Sequence, residues 1–287
     1  MHDVNILGCG PAGLLAAHAV AEHGLSFKIF SKKRKSFLYG AQFLAYEVPG
    51  LNLEFRQTFF QQWGKASDYA IKVYGQAYHG PLNPILTKAW DIRDAYRKLW
   101  DLYSDRIENV CIDPKWVVNN LPDAAFTFST IPAPALCTTA VHTFGVRNIW
   151  VAGDAPDRGQ FVSIECPEDT VIVNAFPEPA WYKVSKVFGY KTVEWPDGPI
   201  APDEPGVVHH GKPLFSNCTC WPNIIRTGRF GRWNKGVLAH AGYFDVKDVL
   251  ERRKTAADFR PHEQWCPVAT SGDSNDGCTC YLIRQGT

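Results

Sequence analysis

The sequence predicts an α/β fold with a second, smaller domain rich in β-strands. Three observations carry this. First, the apolar run Val4–Leu7 leads into Gly8-Cys9-Gly10-Pro11-Ala12-Gly13, then an Ala- and Leu-rich stretch to His23, then a second apolar run over residues 27–30. This is strand, G-x-G-x-x-G turn, helix and strand in their required order. Second, residues 148–196 hold three β-rich runs, 148–151, 170–174 and 191–195, separated by Pro and Gly. Third, Ile92, Tyr96, Leu99 and Tyr103 recur at helical spacing behind Asp91, a helix-capping residue.

The first unit has a specific physical logic. Gly8 permits a tight turn, Gly10 lets backbone approach a pyrophosphate, and Gly13 lets helix pack closely on strand. The amides and dipole of the following helix then favour anionic phosphates. This makes the unit a Rossmann-like dinucleotide-binding fingerprint, with Pro11 and Ala12 at the helix start. A glycine-rich turn without a ligand is the bland alternative.

The Gly-Pro-Ala-Gly form, so near the N-terminus, resembles the FAD-binding superfamily of the glutathione reductase and amine oxidase type. That resemblance implies FAD as cofactor. One position departs from it. The superfamily usually ends its second strand in an acidic residue that holds the adenosine ribose, and here Ser31 stands there, followed by Lys32-Lys33-Arg34-Lys35. A hydroxyl can still bond a ribose. A basic cluster can instead receive a 2′-phosphate, so NADP is the competing cofactor, and a solvated turn is the plain reading of the run.

Residues 223–233 read as a strand entering a Gly-rich turn, and Asp245 reads as the cap of a later helix whose buried stripe is Val246, Val249 and Leu250. This stretch resembles the C-terminal flavin-binding motif of UDP-galactopyranose mutases. Residues 126–132, Phe-Thr-Phe-Ser-Thr-Ile-Pro, resemble the strand and Ile-Pro turn by which that superfamily's chain re-enters its FAD domain. The resemblance implies that Thr130, Gly228, Arg229, Phe230 and Gly231 lie against the cofactor, with Arg229 neutralising phosphate or reduced flavin. An exposed Arg in a turn is the alternative. The chain also resembles compact flavoproteins of tailed bacteriophages, some linked to thymine hypermodification, in the 37–40 region and in Trp181-Tyr182-Lys183-x-Ser185. A competing flavin motif ends in Gly153-Asp154, where the Asp also reads as a turn residue.

Composition sets the limits. The chain has 287 residues, room for one large or two interleaved domains, and 45% hydrophobic residues exclude global disorder. Thirty Lys and Arg against 29 Asp and Glu give a net charge of +1, so no whole-protein field draws it to nucleic acid, although a local cleft can still be basic. No apolar run reaches the ~20 residues of a bilayer span, and no signal-peptide layout precedes Val4. A cytoplasmic protein with reduced thiols is expected, and the Asn217-Cys218-Thr219 glycosylation pattern is then idle. Ten Trp suggest either stacking surfaces for a flat molecule or a large aromatic core.

The expected organisation is a discontinuous FAD-binding domain over residues 1–50, 105–140 and 214–260, a substrate domain over 51–104 and 141–213, and a loop-rich tail over 261–287. Residues 197–213, rich in Pro and Gly, read as a surface connection.

Candidate site residues follow. Gly40 and Ala41 allow a ring to pass close, and Gln42 can hydrogen-bond ring or substrate; a simple loop is the alternative. Trp181, Tyr182 and Lys183, with Ser185, offer an aromatic wall and a cation for a flat polar substrate. A half-buried element with alternating exposure explains them equally. His240 can carry a proton or sit as a core histidine. Cys218-Thr219-Cys220 and Cys278-Thr279-Cys280, with His262 and Cys266 between them, raise a zinc question, but the usual spacing is C-x-x-C, and no metal is expected.

These readings add up to a flavin-dependent enzyme with FAD, an oxidoreductase on a C–N or C–O bond. The phage resemblance implies an amino-acid-modified thymine in DNA as candidate substrate. The competing readings are a mutase-like non-redox flavoenzyme, which the chain's modest length speaks against, and a non-catalytic dinucleotide-binding module.

Overall fold

The computed structural model describes residues 2–32, 38, 43–74, 86–153, 163–199, 201–204 and 206–259. In chain order the elements are β1 (Val4–Leu7), α1 (Pro11–Glu22), β2 (Phe27–Ser31), β3 (Phe55–Trp63), α2 (Ala66–Tyr74), β4 (Leu86–Trp90), α3 (Ile92–Tyr103), β5 (Ile107–Asn109), α4 (Pro114–Asn120), β6 (Phe126–Ser129), β7 (Phe144–Gly153), β8 (Thr170–Asn174), β9 (Lys183–Val187), β10 (Tyr190–Pro196), β11 (Val208–Ser216), β12 (Ile224–Arg226), α5 (Gly228–Arg232) and α6 (Ala241–Leu250). The chain divides into two compact units, 1–35 with 94–145 and 213–287, and 36–93 with 146–212.

The first unit is built on a five-stranded sheet in the order β12-β6-β1-β2-β5. Every pairing in it is parallel. A parallel sheet is covered on both faces, which is why all four residues of β1 are apolar or fully enclosed. Helix α1 is buried continuously from Gly13 to Val20, and its Ala-rich surface admits a close neighbour. That neighbour is α6: a Cβ on Gly242 would lie 2.1 Å from the Ala12 carbonyl oxygen. A second core on the sheet joins Leu7, Phe30, Val117, Leu136 and Ile224.

Helix α3 forms where the Ile92/Tyr96/Leu99/Tyr103 stripe predicts it, and Asp91 Oδ1 accepts from the Arg93 amide at 2.8 Å. From Asp94 onward it clusters with the first unit, although its residues are expected in the intervening 51–104 segment. The physical reason is its apolar stripe. Leu99 is fully buried, and the Tyr103 hydroxyl lies 2.9 Å from His18 Nδ1 on α1.

Two further expectations are corrected. Helix α6 starts at Ala241, so Asp245 lies inside it rather than capping it. Its carboxylate is buried and accepts from the Thr227 hydroxyl at 2.8 Å. Residues 197–213 do not all form a connection. Strand β11 begins at Val208, because sheet pairing in this region overrides the Gly and Pro content.

The second unit carries a seven-stranded sheet in the order β11-β7-β10-β9-β8-β3-β4. It is mixed: β3 and β8 pair in parallel, while β3–β4, β8–β9, β9–β10 and β7–β10 are antiparallel. Period-two alternation splits its apolar residues. Ala152, Ile172, Val184 and Val193 join Cys166, Trp181 and Trp195 in one cluster, and Ala89, Val171, Val187 and Phe188 form another. Trp content therefore goes largely into core here. Among the described residues, no helix is long and apolar enough to cross a membrane.

Candidate functional site

The strand order of the first sheet locates a site by itself. From β1 the chain builds outward through β2 and β5 on one side, then through β6 and β12 on the other. The order reverses between β1 and β6. In open parallel sheets ligands bind outside the carboxyl ends of the strands at such a switch point. The turn after β1 and Thr130 after β6 stand there. The Thr130 amide donates to the Leu7 carbonyl at 2.9 Å, and its hydroxyl donates to the same oxygen at 3.1 Å.

The glycines of this turn do different jobs. Gly8 has φ +103°, which an L side chain rarely adopts, and a Cβ on it would lie 2.6 Å from Thr130 Oγ1. A Cβ on Gly13 would lie 1.9 Å from the Gly8 carbonyl oxygen, so helix and turn are in direct contact. Gly10 is held by neither constraint. Its φ is −70°, and among the described residues no heavy atom lies within 4 Å of where its Cβ would be. Of the three glycines in this turn, Gly10 is the one with open space beside it among the described residues.

Electrostatics favour an anion in this space. Helix α1 has Gly10 as N-cap with no side-chain cap, Pro11 in its first turn and no acidic residue there. Its first amides have no intrahelical acceptor and carry the positive end of the dipole. Side chains fix the turn from two sides. The Ser31 hydroxyl accepts from the Cys9 amide at 3.1 Å, and the Tyr96 hydroxyl donates to the Cys9 carbonyl at 3.0 Å. At the end of β6, the buried Ser129 Oγ has no hydrogen-bond partner among the described residues. Lys32 is exposed beyond the end of β2.

The C-terminal motif reaches the same region, but its glycines face protein. Gly228 has φ +68°, and its Cβ would lie 2.6 Å from Ala12 Cβ; that of Gly231 would lie 2.3 Å from the Ser129 carbonyl oxygen. Helix α5 is thereby seated on the start of α1 and the end of β6. Arg229 donates through Nε to the Val237 carbonyl at 3.0 Å and through Nη2 to that of Lys235 at 3.3 Å, tying down the following loop. Phe230 meets the Trp233 ring edge-on at 6.2 Å. Nearby His240 is buried, which pushes its imidazole down to about 4.

Trp181, Tyr182 and Lys183 belong to the second unit and turn inward. Trp181 and Tyr182 are buried, and Trp181 sits in the core cluster with Val184 and Val193. The Tyr182 hydroxyl donates to Glu194, which also takes the Lys212 ammonium and, at 3.5 Å, that of Lys183. Glu194 is 1% exposed. Burial works to raise its pKa, but Lys183, Lys212 and the Tyr182 hydroxyl together hold it far below the usual range. Burial, then the Glu194 charge, drive the Tyr182 phenol well above its ordinary value. Ser185 spends its hydroxyl on Thr192 at 2.8 Å. Gly40, Ala41, Gln42 and Asp154 lie outside the described residues, as do Lys33, Arg34 and Lys35 and the 261–287 segment.

No protein-family model and no curated protein matches the sequence. Solved structures do match. Reduced UDP-galactopyranose mutase aligns with TM-score 0.55 at 11% identity, covering 90% of this chain and 96% of that one. A flavin-dependent brominase aligns with TM-score 0.53 at 10% identity, over 90% of this chain and 81% of that one. A flavoprotein/dehydrogenase from Cytophaga hutchinsonii aligns with TM-score 0.50 at 12% identity, over 88% and 80%. The fold is the Rossmann-type α/β fold of flavoenzymes.

Several participants were not legible in the sequence. Tyr96 reads only as a core position of α3, yet its hydroxyl holds the Gly turn. Glu194 and Lys212 lie on separate strands, with no local pattern linking them to Tyr182 and Lys183. Cys137 and His142 come beside Cys218 and Cys220, and with 78 positions separating His142 from Cys220 the group leaves no spacing signature.

Proposed function

We propose that the chain is a flavin-dependent enzyme that holds FAD at the carboxyl end of its parallel sheet. The observation that carries the reading is the open position at Gly10, on an uncapped helix N-terminus without acidic residues, at the switch point of the sheet. The residues present fit the group. The α1 amides would bind the pyrophosphate. The Ser31 oxygen accepts from Cys9, leaving its own proton to give to an adenosine ribose oxygen in place of the usual carboxylate contact. Gly228 and Gly231 would act by seating α5 against the turn, and Arg229 by holding the 233–238 loop beside it, rather than by touching phosphate.

Bound flavin would supply the electron chemistry, leaving orientation, electrostatics and exclusion of water to the protein. The reaction class we favour is oxidoreduction at a C–N or C–O bond. The candidate substrate is a small molecule or modified nucleotide, with amino-acid-modified thymine in DNA suggested by the phage-flavoprotein resemblance. The second reading, a non-redox mutase of UDP-sugar type, is favoured by the match along nearly the whole of the mutase chain.

The visible absorption spectrum of the purified protein tests the cofactor. Flavin bands, present on isolation or after adding FAD, are expected. A colourless protein that does not take up FAD overturns the reading. Anaerobic mixing with glycyl-modified thymidine DNA then separates the reactions: bleaching of the flavin supports oxidation, whereas UDP-sugar isomerisation only after dithionite reduction selects the mutase.

A further inference from the structure

We propose a structural zinc site in the first unit, formed by Cys137, His142, Cys218 and Cys220. Their ligand atoms all lie within 4.8 Å of one another. A tetrahedral zinc ion with Zn–S of about 2.3 Å and Zn–N of about 2.0 Å requires S···S near ~3.8 Å and S···N near ~3.5 Å. His142 Nδ1 lies 3.4 Å from Cys137 Sγ and 3.5 Å from Cys220 Sγ. These two distances match two S···N edges of such a tetrahedron.

The surroundings supply a second, independent argument. Arg226 is buried, and among the described residues its hydrogen bonds run to two carbonyl oxygens and a sulfur rather than to a carboxylate. Its guanidinium donates to the Cys218 carbonyl at 3.3 Å, to the Cys220 carbonyl at 3.1 Å and to Cys218 Sγ at 3.2 Å. A buried cation needs a counter-charge. Neutral thiols do not provide one. Three thiolates around a divalent ion carry one net negative charge, and Arg226 then neutralises the filled site while donating to a ligand sulfur. Thr138 adds its hydroxyl at 3.1 Å and its amide at 3.5 Å to Cys220 Sγ. Such outer contacts orient ligands and moderate thiolate charge.

The two loops that carry the ligands are joined by other bonds. The Thr143 amide donates to Asn217 Oδ1 at 2.7 Å, and the Trp221 indole donates to the Leu136 carbonyl at 2.6 Å. One loop continues from β6 past Thr130, and the other leads into β12. Four protein ligands close the coordination sphere, which is the pattern of structural rather than catalytic zinc. The ion would replace three thiol protons, released to solvent, and would fasten the segment leaving the switch point. Cys278 and Cys280 lie outside the described residues.

The test is elemental analysis of the full chain after anaerobic loading with zinc and dialysis, with X-ray absorption on the same sample. About one zinc per chain is expected, in a shell of three sulfurs and one nitrogen. Cys137→Ser and His142→Ala should each lower retained zinc at least ~10-fold, while Cys111→Ser and the Cys278→Ser/Cys280→Ser pair keep it. X-ray absorption on the unaltered chain covers the case in which a ligand variant does not fold. Absence of retained zinc overturns the proposal. So does a four-sulfur shell, a disulfide among Cys137, Cys218 and Cys220 in the freshly isolated protein, or zinc lost with the Cys278/Cys280 pair.

Discussion

Replacing Glu194 by Gln should cost the second unit about 2–3 kcal/mol at neutral pH. The carboxylate is 1% exposed and is held by two lysines and the Tyr182 hydroxyl. Glutamine keeps the volume, so no cavity term enters, and the loss is that of the charge. Breaking a buried pair typically costs about 3–5 kcal/mol because the partner charge is left uncompensated. Here each lysine side chain is 19% exposed, and water relieves part of that penalty. The cost then falls to about 2–3 kcal/mol, at or just below the floor of that range, or a fall in Tm of roughly 10 °C at a few degrees per kcal/mol. The pH dependence identifies the cause. The folded pKa of Glu194 is depressed, so its stabilisation is complete above the unfolded value near ~4.3 and is lost as pH falls toward the folded value. The gap between wild type and Glu194→Gln in guanidinium melts should therefore be constant from pH 7 to about pH 5 and narrow below that. A loss under about 0.5 kcal/mol at pH 7, or one that stays constant down to about pH 3, would refute the argument.

Gly10→Ala should leave the melting of the flavin-free protein within about 0.5 kcal/mol of wild type yet weaken FAD uptake at least ~10-fold, read by titration of flavin fluorescence. Gly13→Ala, whose Cβ meets a backbone oxygen at 1.9 Å, should instead lower stability by several kcal/mol, seen as a fall in Tm without any ligand. His240 has a folded pKa lowered by burial to about 4, so its contribution is complete above the unfolded value near ~6.5 and is lost as pH falls through the folded one. Wild-type stability should drop between those values and His240→Phe should flatten that limb of a pH-resolved melt. Asp113 caps α4 by accepting from the Trp116 amide at 2.7 Å, and Asp113→Ala should cost about 1 kcal/mol in chemical denaturation.

The parts of the fold that were legible are those written in contiguous residues. Strand β1, the Gly turn, α1 and β2 follow one another without interruption, and each obeys a local rule. Strand β6 has the bounds that its Phe-Thr-Phe-Ser run suggests. Helix α3 was legible as a helix but not as part of the first unit, because a stripe says that a face is buried and not what buries it. Asp245 misled for a related reason. An Asp at the start of an apolar stripe looks like a cap, and the distant Thr227 hydroxyl and Arg232 guanidinium explain a carboxylate inside a helix. Tyr182 and Lys183 likewise looked available for a ligand until Glu194 and Lys212 arrived from other strands.

Glycine in a sequence reports close approach without saying what approaches, and this ambiguity ran through the reading of both motifs. The space at each missing side chain resolves it. At residues 8, 13, 228, 231 and 242 a Cβ would strike protein atoms at 2.6 Å or less, so these glycines serve contacts among β1, β6, α1, α5 and α6. Gly10 faces open space. On the proposed reading, the C-terminal Gly-Arg-Phe-Gly segment would act on a cofactor site through the geometry it imposes on α1 and β6. Changes there should appear first as lost stability and only through it as lost affinity. Changes at Gly10 should appear in affinity alone, which makes the ratio of the two effects a direct measure of which glycine meets the ligand.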